Sequence, residues 1–281
     1  MKNINLNPSK IRIVGILNLS PESFSGDGII DKKVALERAR ELIRDGADII
    51  DIGAQSTKPG SRQLTLEEEL ERLSGTIEAI KMEFKDTRVS IDTTRYDVME
   101  LAVSEGATIL NDISGGRFDK RIVKLLIVNP SLNFILTHSQ GTFEVMHRTY
   151  KYSDIVKEIK EYFSKNIDAL LKAGVRKDQM ILDPGIGFSK AGEQNTEIIG
   201  RLDELTDLDL PIYIGLSRKK FIGKIIGAEI PSDRDFASGI LQCISIQKGA
   251  TYIRTHNPKY VKQTQQILSS FYTHPSVQGQ F

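Results

Sequence analysis

The chain has 281 residues, enough to bury a sizeable core without disulfides or metal staples. Its 38 Lys and Arg nearly balance 37 Asp and Glu, and the formal charge of +1 offers no argument for nucleic acid or an acidic membrane as partner. The single cysteine, Cys243, excludes an intrachain disulfide, and its apolar surroundings, FASGILQCISIQKGA, predict a buried, inert thiol.

In chain order, β-branched apolar runs alternate with amphipathic ones. The periodicity predicts strand 11–17, helix 31–45, strand 47–52, helix 65–84, strand 88–92, helix 97–105 and strand 107–111. It continues with helix 119–128, strand 132–137, helix 154–173, strand 179–183 and a short helix near 195–204. Strand 211–216, helices near 219–226 and 234–248, strand 250–254 and helix 258–270 complete the series. Helices stop at Asp45-Gly46-Ala47, Glu105-Gly106-Ala107, Ala173-Gly174 and Lys248-Gly249-Ala250, with glycine just past each end.

All eight strand-like runs end in polar residues: Asn18, Asp51, Asp92, Asn111 with Asp112, His138, Asp183, Ser217, and Arg254 with His256. Strand–helix units with chemistry at each strand end describe an α/β fold, a (β/α)8 TIM barrel whose active site lies at the C-terminal rim. A single domain over 1–281 is expected, with 271–281, ending HPSVQGQF, as a frayed tail. No run of about 18 apolar residues would span a membrane. The opening MKNINLNPSK lacks the apolar core of a secretion signal, so the expected compartment is the cytoplasm. Two rim segments, SPESFSGDGII and AQSTKPGSRQLT, are longer than a barrel needs and rich in Gly, Ser and Pro, as lids often are.

Asp92, Asn111, Asp183 and Lys219 would converge on one cleft from four strand ends. A carboxylate there accepts paired N–H groups from an amidine-like edge of a heterocycle, Asn both donates and accepts, and Lys219 donates to a ring carbonyl or nitrogen. Each has a plainer alternative: Asp183-Pro184-Gly185 turns the chain, and Asp92 caps the helix starting near Asp97. Four together at strand ends outweigh those readings.

Asn18, Arg254 and His256 form a second group. Arg and His suit an anionic leaving group, and a neutral Asn oxygen suits Mg²⁺ held mainly by substrate phosphates. Thr57 and Lys58 add candidate phosphate contacts. Arg254 has another use, stacking on an aromatic ring, and Arg-Thr-His in isolation also reads as a helix-end or surface pair. Ser217-Arg218-Lys219-Lys220 is an electrostatic misfit at a helix start, where acids are favoured, and this points to an anionic ligand nearby. Gly185 and Gly187 let backbone approach a ligand closely. His138 fits a rim or a satisfied core position equally, and His147 and His274 carry no pattern.

These segments, in order, resemble the dihydropteroate synthase family. GILNLSPESFSGDG is similar to the family's first loop, GILNVTPDSFSDGG, and DIGAQSTKPGS to its second, DIGGESTRPGA. SIDTTRYDV, ILNDISGG, ILDPGIGFSK, IGLSRKKFIG and YIRTH resemble the later signatures. The resemblance implies a TIM barrel that joins para-aminobenzoate to 6-hydroxymethyl-7,8-dihydropterin pyrophosphate with Mg²⁺ assisting, usually as a homodimer packed through late helices. It implies pterin binding by Asp92, Asn111, Asp183, Lys219, Arg254 and Phe188, and pyrophosphate binding by Asn18, Thr57, Arg254 and His256, with the metal at Asn18. Phe24, Lys58, Pro59, Phe188, Ser217 and Lys219 fall where aminobenzoate, and hence sulfonamide drugs, would bind. Lys219, Arg254, His256 and Asp92 are the implied catalytic set.

Three positions depart from the family pattern. Lys58 replaces an arginine, Gln55 a glutamate, and the ending Arg-x-His-Asp reads Arg254-Thr255-His256-Asn257. These changes touch the aminobenzoate end and predict normal pterin binding with altered sulfonamide affinity. A pterin-dependent methyltransferase and a non-catalytic pterin-binding paralogue are the alternatives. The first would lack SFSGDG and SRKKFIG, and the second would have lost Asn18, Arg254 and His256.

Overall fold

β-branched runs become strands and amphipathic stretches become helices, in the alternation their periodicities predict. The computed structural model describes residues 7–19, 31–55, 62–143, 145 and 148–272. Strands β1 (Arg12–Asn18), β2 (Ile49–Gly53), β3 (Arg88–Asp92), β4 (Ile109–Asp112), β5 (Asn133–Thr137), β6 (Met180–Asp183), β7 (Ile212–Gly215) and β8 (Ala250–Thr255) close into a parallel barrel in sequence order, with β8 pairing back to β1. Between and after them run α1 (Lys32–Arg44), α2 (Leu66–Leu73), α3 (Thr76–Glu83), α4 (Tyr96–Ser104), α5 (Arg121–Val128), α6 (Ile155–Lys172), α7 (Gly192–Gly200), α8 (Lys220–Ile226), α9 (Asp235–Gln247) and α10 (Pro258–Tyr272).

Successive strand side chains point to opposite faces. One parity, including Ile50, Ile52, Val89, Ile91, Leu110, Leu136 and Leu182, packs with the buried faces of the helices in the main core. The other parity turns inward, where Val14, Ile49, Ile109, Ile135, Ile181 and Tyr213 form an apolar plug with Tyr252 against it. Each buried Val or Ile of the plug contributes roughly 1.5–3 kcal/mol relative to exposure. One inward step further toward the strands' C-terminal ends stand Asp51, Asp92, Asn111, Asp183 and Arg254. Strand geometry alone therefore sets a polar layer on top of a dry one.

Four expectations change. Helix 65–84 is two helices, broken at Ser74-Gly75, where Gly75 takes φ +69° and its N–H donates to Glu105 Oε1 at 2.7 Å. Leu66, Leu70, Leu73, Ile77 and Ile80 keep helical spacing across the break, which is why the pattern reads as continuous. The short helix near 195–204 is α7 followed by a 3₁₀ turn, Leu202–Leu208. The last helix reaches Tyr272, so the expected tail begins inside it, while residues 273–281 lie outside the described residues. Cys243 on α9 is half-buried rather than buried, and burial pushes its thiol pKa up, which keeps it unreactive.

Candidate active site

Arg254, inward on β8, donates Nε to Asp51 Oδ2 and Nη2 to Asp92 Oδ2, each at 2.6 Å. Asn111 Nδ2 lies 3.2 Å from the same Asp51 oxygen. The Asp51 side chain is 0% exposed, whereas Asp92 and Arg254 show 13% and 21% to the cleft, so Asp51 aligns ligand-facing groups without facing a ligand. Burial pushes Asp92 above the ordinary carboxylate range while Arg254 pulls it back. Arg254 stays charged: burial disfavours its cation, but Asp51 and Asp92 prevail. Asp92 does not cap α4, whose cap position is Arg95 with no side-chain bond. Asp183 does turn the chain, accepting Gly185 N–H on Oδ1 at 2.8 Å. Among the described residues nothing donates to its other oxygen. Burial raises Asp183 to about 6, against the Gly185 hydrogen bond and Lys219.

The loop after β6 requires its glycines. At Gly185, φ is +69° and a Cβ would stand 2.0 Å from the His138 carbonyl oxygen; at Gly187, φ is +84° and a Cβ would meet Lys219 Cδ at 3.0 Å. The loop thereby folds over Lys219, whose Nζ sits 4.2 Å from the centroid of the Phe188 ring. Burial, then Arg254, lowers Lys219 to about 8. Phe188 and Ile113 are buried together with Phe143 packed on them, giving the cleft one apolar wall.

Lys190, in the same segment and not singled out by the sequence reading, is buried. Its Nζ donates to the carbonyl oxygens of His138 (3.1 Å), Gly185 (3.0 Å) and Phe188 (2.8 Å). Three ammonium donors thus meet three acceptors, stapling the loop after β5 to the loop that carries Phe188. Burial lowers Lys190 to about 7 while Asp183 pulls the other way. His138 itself is a core residue, buried edge-on against Tyr162 at 4.9 Å and kept neutral by burial.

At the next strand ends, Ser217 Oγ lies 3.1 Å from His256 Nδ1 and accepts the His256 N–H at 3.2 Å. Burial, then Arg218 and Arg254, depresses His256 to about 3, so this histidine is a neutral donor rather than a ready positive charge. The basic misfit at the start of α8 is answered inside the protein. Arg218, at φ +60°, forks Asp235 of α9 at 2.6 and 2.8 Å, so the misfit itself no longer argues for an external anion.

Asn18 ends β1 half-buried at this rim. Among the described residues no group of three or more His, Cys, Asp or Glu could hold a metal. One neutral oxygen fits an ion that arrives with phosphates, not a resident all-protein cage. Phe24, Thr57, Lys58 and Pro59 lie outside the described residues. Gln55, at the base of the second long loop, donates Nε2 to Arg62 O at 3.1 Å and accepts Leu64 N–H on Oε1 at 2.7 Å. A glutamate there would accept the second bond but could not donate the first.

No helix among the described residues is long and apolar enough to cross a membrane. Residues 14–256 match the family model described as pterin binding enzyme. The dihydropteroate synthase of Synechocystis sp. is 38% identical over 261 residues, covering 92% of this chain and 90% of that protein. The dihydropteroate synthase of Xanthomonas albilineans solved with 4-aminobenzoic acid superposes at a TM-score of 0.88, with 30% identity over 96% of each chain. A structure of that enzyme in complex with 7,8-dihydropteroate gives 0.85 at 28% identity, covering 96% of this chain and 97% of that one. Because the match runs from β1 to β8 and takes in every strand that feeds the rim, the chain belongs to the dihydropteroate synthase family of pterin-binding enzymes.

Proposed function

We propose that this chain condenses para-aminobenzoate with 6-hydroxymethyl-7,8-dihydropterin pyrophosphate, giving 7,8-dihydropteroate and pyrophosphate. The observation that carries the reading is the buried layer of Asp51, Asp92, Asn111, Asp183 and Arg254 beside Lys219. The paired N–H edge of a dihydropterin matches acceptors on Asp183 and Asn111, with Asp92 beside them and Lys219 donating to the ring. Phe188 supplies an apolar face. Arg254, already neutralised by two acids, serves by holding Asp92 and lying against a ring more than by drawing in free anions.

The CH₂–O bond breaks with both electrons leaving on the pyrophosphate oxygen, while ring nitrogen electrons delocalise the carbon cation. The amine nitrogen then forms the new C–N bond and releases one proton. An arylamine is already neutral near pH 7, so no strong general base is needed. Asp51, Asp92 and Asp183 against Arg254 and Lys219 leave the site one net negative charge when all are ionised, which favours the pterin cation over the neutral ground state. His256, Ser217 and Asn18, with Thr57, donate to or orient the departing pyrophosphate. Phe24, Lys58, Pro59 and Ser217 take the aminobenzoate and, by the same shape, a sulfonamide. Asn18 would hold a Mg²⁺ that arrives with the pyrophosphate, and the ion would supply neutralisation of the leaving group's charge.

A homodimer completes the reading. Phe236 and Ile240 on α9 and Ile267 and Phe271 on α10 are 71%, 49%, 59% and 58% exposed, more apolar surface than adjacent helices of a monomer usually leave open. The direct test is pyrophosphate release with Mg²⁺ and the dihydropterin pyrophosphate, with and without para-aminobenzoate. Amine-dependent release with an equal amount of dihydropteroate is the expected result. Release that ignores the amine, or pterin binding without release, would overturn it.

A further inference from the structure

Arg218 stands between Ser217 and Lys219 in left-handed backbone, and the protein holds it from several sides. Its N–H donates to Ser238 Oγ at 3.0 Å, its carbonyl accepts Arg234 Nη1 at 3.0 Å, and its guanidinium forks Asp235. The Asp235 oxygen that takes Nη2 also lies 3.4 Å from Asn257 Nδ2. One carboxylate on α9 therefore ties the residue after Ser217 to the residue after His256. Ser217 and His256 touch each other at 3.1 Å, so the position of both depends on that tie. Against burial, the Arg218 fork holds Asp235 below the usual carboxylate range, which keeps it ionised.

We infer that Asp235 is a positioning residue that supplies, from a neighbouring helix, the carboxylate the family carries at the position of Asn257, so that acid and amide form an exchangeable pair behind Ser217 and His256. The inference rests on the synthase reading for its catalytic consequence, but its structural part stands alone. Asp235 touches no substrate. It fixes Arg218, and through Arg218 and Asn257 it fixes the end of the cleft where amine and pyrophosphate meet. The acids and amide that take the pterin edge, Asp92, Asn111 and Asp183, stand on β3, β4 and β6 and should not feel the change.

Four proteins test it: wild type, Asp235→Asn, Asn257→Asp and the double variant. Asp235→Asn should lower kcat/KM by about tenfold or more, with KM for para-aminobenzoate raised and pterin affinity by calorimetry unchanged. Asn257→Asp alone should also lose activity, because two carboxylates then share the 3.4 Å gap. The double variant, with the acid moved to 257, should recover to within about threefold of wild type, a reciprocal rescue that a merely structural contact would not produce. Activity of Asp235→Asn within about twofold of wild type, or a double variant no better than the worse single one, sinks the inference. Crystal structures give a readout independent of turnover. Arg218 should leave its seat in Asp235→Asn and fork residue 257 in the double variant, and an unmoved Arg218 overturns the inference even if wild type proves inactive. Absent wild-type turnover by itself counts only against the synthase reading.

Discussion

Arg254 reaches two carboxylates because Asp51 and Asp92 stand on adjacent strands with the same inward parity, and Asn111 reaches across from the next strand. Asp51→Asn keeps the shape, removes a charge and leaves the guanidinium with one acid. A fall in kcat/KM of about 10–100-fold is expected in steady-state assays, and an unchanged value would mean that Asp92 alone orients Arg254. The pH profile follows from the same burial. Asp183 at about 6 and Asp92 at about 7 predict the acid limb of a bell for kcat/KM and Lys219 at about 8 its basic limb, and Asp183→Asn should leave an acid limb set by Asp92 alone in whatever activity remains. His256 contributes no limb there because it loses its proton at about 3.

Stability carries opposite signs at these two residues. The raised pKa of Asp183 makes its share of stability fall as pH rises from the ordinary carboxylate value of 3.8 to about 6. The depressed pKa of His256 makes its share rise from about 3 to 6.5. His256→Gln should therefore shrink the loss of stability on acidification toward about pH 4, read by urea melts at each pH. A loss as large as in wild type would show that His256 is not neutral in the fold.

At the scale of elements, the loop after β6 is the tightest junction of the site. It packs Gly185 against the His138 carbonyl, lays Gly187 on Lys219 and is pinned by Lys190. Gly185→Ala has nowhere to put its methyl group, since the neighbour at 2.0 Å is backbone, not a yielding side chain. A destabilisation of about 3 kcal/mol or more is expected from thermal unfolding. Wild-type stability would show that the loop has another conformation within reach. The split between α2 and α3 teaches the converse: apolar spacing survives a sharp turn when both helices face the same core.

For the whole molecule, the barrel separates stability from chemistry by height along its axis, an apolar plug below and acids, amides and bases above. The remaining exposed apolar surface includes side chains of α9 and α10, helices on the outside of the barrel. Phe236→Asp should convert the proposed dimer into a monomer in light scattering with turnover per chain largely kept, whereas an unchanged mass would place the interface elsewhere.

The chain alone determined the eight strand–helix units and the residues at their ends, because periods of two and of about 3.6 are local properties and glycine marks where helices stop. It did not reveal what those residues do to one another. Asp51 sat in plain view at the end of ADIIDIG, but its role depends on Arg254, 203 positions away. Lys190 carries no pattern in the sequence, and only the fold brings three carbonyls onto it; Arg218 looked like bait for an anion until Asp235 answered it. Pairing of charges across a closed barrel is set by strand order and register, and those are decided only when the sheet meets itself.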